Sequence, residues 1–363
     1  SWLQMVVSFH FWYSYRGLEP HLQRAHAGHT QDEDGDPFQR PCCVSVLVIQ
    51  SGNENREPRH KGRDRHFSDV RQNRMSRFLN SYEEVTYDKL RAVTEAVGAH
   101  VFSKVRLADV IPVNNSGISN EEFTFSLKSH VDFLVTDSEQ EVQFCVEFDG
   151  PTHRQPEQIR RDELKNNLLS RFQVSFIRIN SRYLEERYRG LDLLTYFADV
   201  WFLAQAFDEA QEGGQIPPDE IFDPTFILSD GQPNGKKWPY WISVELQADI
   251  QRMFNEHLVA QPAPNHWIGI DDRGNYRCLA WLFLTPDTCV FIETGMRGHR
   301  FPAVYSSDLL SQLAVYDLHQ AIEKALDGSI PTVSRDAFES RLADYERRFE
   351  MRSSGGCNLP RNE

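Results

Sequence analysis

The stretch Lys128–Asn180 constrains the fold more than any other. HVDFLVT (130–136) and VQFCVEFD (142–149) are short apolar runs joined by the polar turn DSEQE, the pattern of a β-hairpin. VSFIRIN (174–180) is a further strand-like run. Between them the sequence predicts a helix over 157–172, with Leu168, Leu169 and Phe172 on its buried stripe. Traced back two turns, that stripe meets Gln158, Arg161 and Lys165 instead of more apolar residues. It is a core contact that grades into something polar.

The hairpin carries acids where acids are costly. Asp132 and Glu147 lie within hydrophobic runs, and a carboxylate there needs a partner. One hairpin can bring them side by side, where two carboxylates and water could hold Mg2+ or Mn2+. The plainer reading is two strand-end acids that face solvent. Asp149, two residues after Glu147, is expected on the same sheet face and is a third candidate ligand. His153 follows the turn Gly150–Pro151–Thr152 as a candidate proton shuttle or phosphate contact, and His130 could orient Asp132. Lys165 is expected to point at the carboxylates; the alternative is a lysine lying along apolar surface with its ammonium in water.

Upstream, SYEEVTYDKLRAVTEAVG (81–98) has helical spacing and ends at Gly98, and HVFSKVRLADVI (100–111) alternates as a strand. A polar loop, NNSGISNEE, precedes the hairpin. A last helix is expected over about 191–210, which gives the order α-β-β-β-α-β-α. The domain expectation is a leader over 1–75, a catalytic-type α/β domain over 76–211, a Gly- and Pro-rich linker over 212–220, a C-terminal α+β domain over 221–350 and a disordered tail over 351–363. The leader has no hydrophobic period and reads either as a disordered segment or as residues upstream of a natural start at Met75. In the C-terminal part, helices are expected over 241–258, 308–328 and 336–350, with a hairpin over 275–294.

A net charge of -14 rules out a broadly polybasic nucleic-acid binder, so any such contact must be local. Lys104, Arg154 and Arg161 are candidates for phosphate contacts. KKWPYW (236–241) could stack bases or belong to the core. The six cysteines form no CxxC pair, which fits a reducing, cytoplasmic setting. No apolar run is long enough to span a membrane.

In their order and spacing, these motifs resemble the PD-(D/E)XK, or restriction-endonuclease-like, nuclease superfamily. HVDFLV, CVEFDGPTH and RRDELKNNLL are similar to a bacterial branch of uncharacterised nuclease-like domains and to the very-short-patch-repair endonucleases, with their E-x-D-G-x-x-H signature. The resemblance covers about residues 80–190. It implies an αβββαβ core with a mixed central sheet, a Mg2+- or Mn2+-dependent endonuclease and nucleic acid, DNA foremost, as partner. Asp132 and Glu147 match the two metal-binding acids, and Glu83 matches an acid of the first helix. The superfamily's usual lysine, two residues after the second acid, is replaced here by Asp149. In some relatives that lysine sits on the following helix, which gives its role to Lys165. Without that migration, the chain would be an inactive nuclease-fold module that binds nucleic acid or protein partners.

Overall fold

A computed structural model describes residues 78–149, 156–226 and 240–356. The chain opens with helix α1 (Ser81–Val97), strand β1 (His100–Arg106), a one-turn helix α2 (Leu107–Val110) and helix α3 (Asn120–Lys128). Strands β2 (His130–Thr136) and β3 (Val142–Phe148) form the expected hairpin. Helix α4 (Pro156–Arg171) then crosses to strand β4 (Ser175–Ile179), and helix α5 (Leu193–Glu212) follows. The sheet order is β1-β2-β3-β4, antiparallel except for the parallel β3–β4 pair.

Two segments differ from the sequence reading. The run 100–111 is not one strand: the chain leaves the sheet after Arg106, and Leu107, Val110 and Ile111 bury themselves at helical spacing beside Val131 and Leu134. Their alternation up to Arg106 hid this turn. The polar segment before the hairpin ends in α3, because Ser119 and Glu122 form a reciprocal capping box. Both residues read as loop because the helix behind them is short and only weakly amphipathic.

The alternation of β2 and β3 sorts the two faces. Phe133, Val135, Phe144 and Val146 enter the large core beneath α1 and α5. Leu134 and Cys145 face the other way, onto Leu168 and Leu169 of α4. Asp132 and Glu147 belong by period to this second face. The acids therefore share the side of the sheet that α4 covers.

Helix α6 (Val244–Asn255) leads into a second sheet of β5 (Asn265–Ile270), β6 (Tyr276–Thr285), β7 (Thr288–Met296), β8 (Val333–Ser334) and β9 (Glu350–Gly355). It is antiparallel throughout, in the order β8-β7-β6-β5-β9. Helix α7 (Ser306–Leu326) packs on the face of this sheet, and helix α8 (Arg335–Arg348) lies on the Trp281–Phe291 face through Phe338. The expected hairpin turns at Pro286–Asp287, as its composition implied. The segment expected as a disordered tail begins instead as a strand: Glu350–Gly355 pairs with β5. Its polar residues carry no apolar alternation, so only the open edge of β5 makes it a strand.

The two sheets share a core that Phe301 helps to close. Phe301 sets its ring 5.2 Å from Phe144, 5.4 Å from Phe197 and 4.8 Å from Trp201. The backbone N–H of Phe176 on β4 donates to the Arg300 carbonyl at 3.1 Å. The protein is thus a mixed α/β structure with one mixed and one antiparallel sheet. Among the described residues, no helix is long and apolar enough to cross a membrane.

His266 on β5 gives this packing a pH signature. It is buried, its Nδ1 has no hydrogen-bond partner, and burial pushes its pKa down to about 4. In the fold the ring stays neutral, whereas the unfolded chain takes up a proton below about pH 6.5. Its contribution to stability is full above that pH and is lost as the pH falls to about 4, a loss on the order of 3 kcal/mol. Urea unfolding across this range is expected to show the loss in the native chain and a flatter acid limb in His266→Leu; parallel curves would place the acid sensitivity elsewhere.

Candidate functional site

Five side chains from α1, β1, β2, β3 and α4 gather at one end of the sheet's inner strands. Glu83 comes from the first turn of α1. Asn80 and Glu83 form a capping box: the Asn80 side chain accepts from Glu83 N, and Glu83 Oε2 accepts from Asn80 N at 2.9 Å. The cap leaves Oε1 aimed inward, where it accepts from Lys104 Nζ at 2.6 Å. The Asn-x-x-Glu spacing before an apolar helix is the sequence signal for this placement.

Lys104 sits inside β1 with φ 54°, a left-handed conformation uncommon for any residue with a side chain. Holding a lysine there costs on the order of 1 kcal/mol. The pairs Ser103–Phe133 and Val105–Val131 on either side set it abreast of Asp132. Its ammonium also donates to Asp132 Oδ1 at 2.7 Å, while Asp132 Oδ2 accepts from the backbone N–H of Phe148 at 2.8 Å. Burial alone would lower the Lys104 pKa, but its hydrogen bonds to Asp132 and Glu83 and their charges overcome this and hold the pKa above the usual value. The backbone-tracking role expected for Lys104 is therefore not how it is placed: both of its bonds go to acids.

Glu147 faces Lys165, past the middle of α4. The β2–β3 register pairs Phe133 with Val146, so one further step sets Asp132 opposite Glu147. The Glu147 side chain is only 5% exposed and takes Lys165 Nζ at 2.9 and 2.7 Å, one bond to each carboxylate oxygen. The same ammonium donates to the His130 carbonyl at 2.7 Å. Three acceptors thus take up its three hydrogens. Burial pushes the Glu147 carboxyl up, the Lys165 charge opposes this, and the Asp132 charge adds to the upward push.

Not every predicted residue joins this group. Asp149 ends β3, but its carboxylate binds Arg178, with Nη2 at 2.7 Å, and also pairs with Arg297 from beyond β7. Arg178 further contacts Asn166 and Asp162, so a buried guanidinium ties Asp149 into a network of its own. His130 supplies its carbonyl oxygen, and Asp132 is oriented by Lys104 and Phe148 N. Arg161 is exposed, with its guanidinium 5.9 Å from the Phe125 ring centroid. His153 and Arg154 lie outside the described residues. Of KKWPYW, Tyr240 is buried with its ring 6.0 Å from that of Tyr196, a core position. Arg178 belongs to the buried Asp149 network and not to the exposed cations. Its single charge inside Ser-Phe-Ile-Arg-Ile was the signal that it had to be buried against an acid.

Among the described residues, no three His, Cys, Asp or Glu side chains form a ready-made metal cage. Glu83 and Asp132 already close on one cationic group, the Lys104 ammonium, and Glu147 lies in register with Asp132. All five residues fall within the region matched by a family described as a protein of unknown function (DUF2726), residues 75–190. No curated protein and no solved structure matches the chain.

The Glu147–Lys165 pair should behave as a coupled unit. Lys165→Met would leave a buried carboxylate unpaired and is expected to cost about 3–5 kcal/mol in urea unfolding. Adding Glu147→Gln to Lys165→Met should recover part of that loss. Strictly additive effects would show that the two groups do not depend on each other.

Proposed function

We propose that the chain is a metal-dependent nuclease built on a restriction-endonuclease-like core, with nucleic acid, DNA foremost, as its substrate. The observation that carries this reading is the place of Lys165. The superfamily's usual lysine position holds Asp149, yet an ammonium group still stands on Glu147, delivered from the following helix. The order of helix-Glu, strand-Asp, strand-Glu and helix-Lys is kept in space as well as in sequence. With the helices α2 and α3 between β1 and β2 set aside, the order α1-β1-β2-β3-α4-β4 supports this reading.

In this reading, Asp132 and Glu147 hold Mg2+ or Mn2+, with Glu83 as a neighbouring acid. Such an ion, when bound there, would lower the pKa of a coordinated water and set positive charge against the phosphate. Lys165 keeps the Glu147 carboxylate ionised and oriented and presents positive charge to a phosphate oxygen. The His130 carbonyl fixes the direction of that ammonium. Asp149 serves the frame: with Arg178 and Arg297 it locks the end of β3.

A second reading is a non-cutting module on the same fold that binds nucleic acid or protein. Its support is the pairing itself, since both lysines spend their charge on the acids. The two readings part in one experiment. The purified chain is incubated with plasmid and with single-stranded DNA in Mg2+, Mn2+ or chelator. The nuclease reading expects metal-dependent cleavage that falls by roughly 10²-fold or more in Glu147→Ala. Cleavage that survives the substitution, or DNA retention with no cleavage in any metal, sinks it.

A further inference from the structure

Tyr82 opens onto solvent where the first turn of α1 crosses the end of β3. Its ring stacks on that of Phe148, with centroids 5.3 Å apart and planes 14° from parallel. Around Phe301, by contrast, the core rings meet tilted or edge-on. A ring packed edge-on shows solvent an edge, whereas a ring stacked in parallel shows it a second flat face. Phe148 is buried, but Tyr82 is 51% exposed. Phe78 and Val85, four residues before it and three after, are exposed as well. An exposed aromatic alone is ordinary. A half-open ring with a fixed ring behind it is a platform.

The platform is held still and sits beside the site. The Tyr82 backbone N–H donates to Asn80 Oδ1 at 3.0 Å, and its carbonyl accepts from Thr86 Oγ1 at 2.8 Å. Beneath it, the Phe148 N–H donates to Asp132 Oδ2 at 2.8 Å. Tyr82 directly precedes Glu83, and Phe148 directly follows Glu147. A flat partner that lands on this ring requires little further ordering of the protein.

The surroundings select the partner. The same turn of α1 carries two acids, Glu83 and Glu84, which discourage a phosphate from settling on the ring. A neutral base meets no such repulsion, and base–aromatic stacking tolerates any sequence. In a closed duplex each base is already stacked within the helix, so only an unpaired or extruded base can reach an open ring. Resting on the nuclease reading, we infer that Tyr82 is a stacking platform for an unpaired DNA base, so that single-stranded DNA, or a strand opened beside the site, is preferred over closed duplex.

The test is binding of a fluorescent single-stranded oligonucleotide and of its duplex, followed by anisotropy in chelator and in Ca2+. The full chain is compared with Tyr82→Leu, which keeps Phe148 covered without an aromatic face, and with Tyr82→Phe, which restores the face. Tyr82→Leu is expected to weaken single-strand binding by about fivefold or more and to leave duplex binding unchanged, with Tyr82→Phe close to the native chain. On the native chain, a single strand with iododeoxyuridine in place of each thymidine should photocrosslink to the peptide that holds Tyr82. That readout decides the matter even if Tyr82→Leu folds poorly. If Tyr82→Leu binds the single strand as the native chain does, loses both forms equally, or the crosslink maps elsewhere, the platform role is wrong while the nucleic-acid reading stands. If the native chain binds neither form, in chelator or in Ca2+, the nucleic-acid reading fails and takes this inference with it.

Discussion

The site depends on a carboxyl, Glu147, buried beneath a helix against the Lys165 ammonium. A carboxylate withdrawn from water costs several kcal/mol unless its partner is in place and its oxygens are bonded. Lys165 meets both oxygens and is itself aimed by the His130 carbonyl. That requirement fixes the phase of α4 over the sheet, because Leu168 and Leu169 must bury on the same face that brings Lys165 to Glu147. It also fixes the hairpin register, since a one-residue slip would turn Glu147 to the opposite face. The charge pair and the apolar stripe thus specify the same geometry.

A second constraint comes from outside the first sheet. Asp149, at the end of β3, is gripped by Arg178 from β4 and by Arg297 from the segment after β7. Phe301, four residues on, stands among Phe144, Phe197 and Trp201. The C-terminal region therefore packs against the strand that carries Glu147. Whatever else that region does, it buttresses the strand end beside the acids. Its own chemistry is sparse: among the described residues, its buried cysteines Cys278 and Cys289 are small core groups whose thiols burial pushes up.

Much of this was legible in the sequence where one physical signal dominated. The hairpin and β4 showed as apolar runs, and Lys165 showed as a polar break in an apolar helical stripe. The second-region hairpin announced itself by its Thr-Pro-Asp turn. What stayed hidden depended on partners distant in sequence. The turn at Leu107 looks like continued strand until Val131 and Leu134 are placed beside it. Strand β9 exists only because β5 has an open edge. Lys104 and Arg178 are ordinary cations in a linear reading, and only the sheet register shows that each is bound to acids. Asp149 was assigned to the metal side by strand period, but arginines on both sides of it claim its carboxylate.

The proposed function turns on Asp132 and Glu147 holding a divalent cation beside Lys165. The most direct measurement is an anomalous difference map from crystals soaked in Mn2+. The proposal expects a peak within bonding distance of Asp132 and Glu147 carboxylate oxygens, about 2.0–2.3 Å. No peak at these acids at saturating Mn2+ would contradict it.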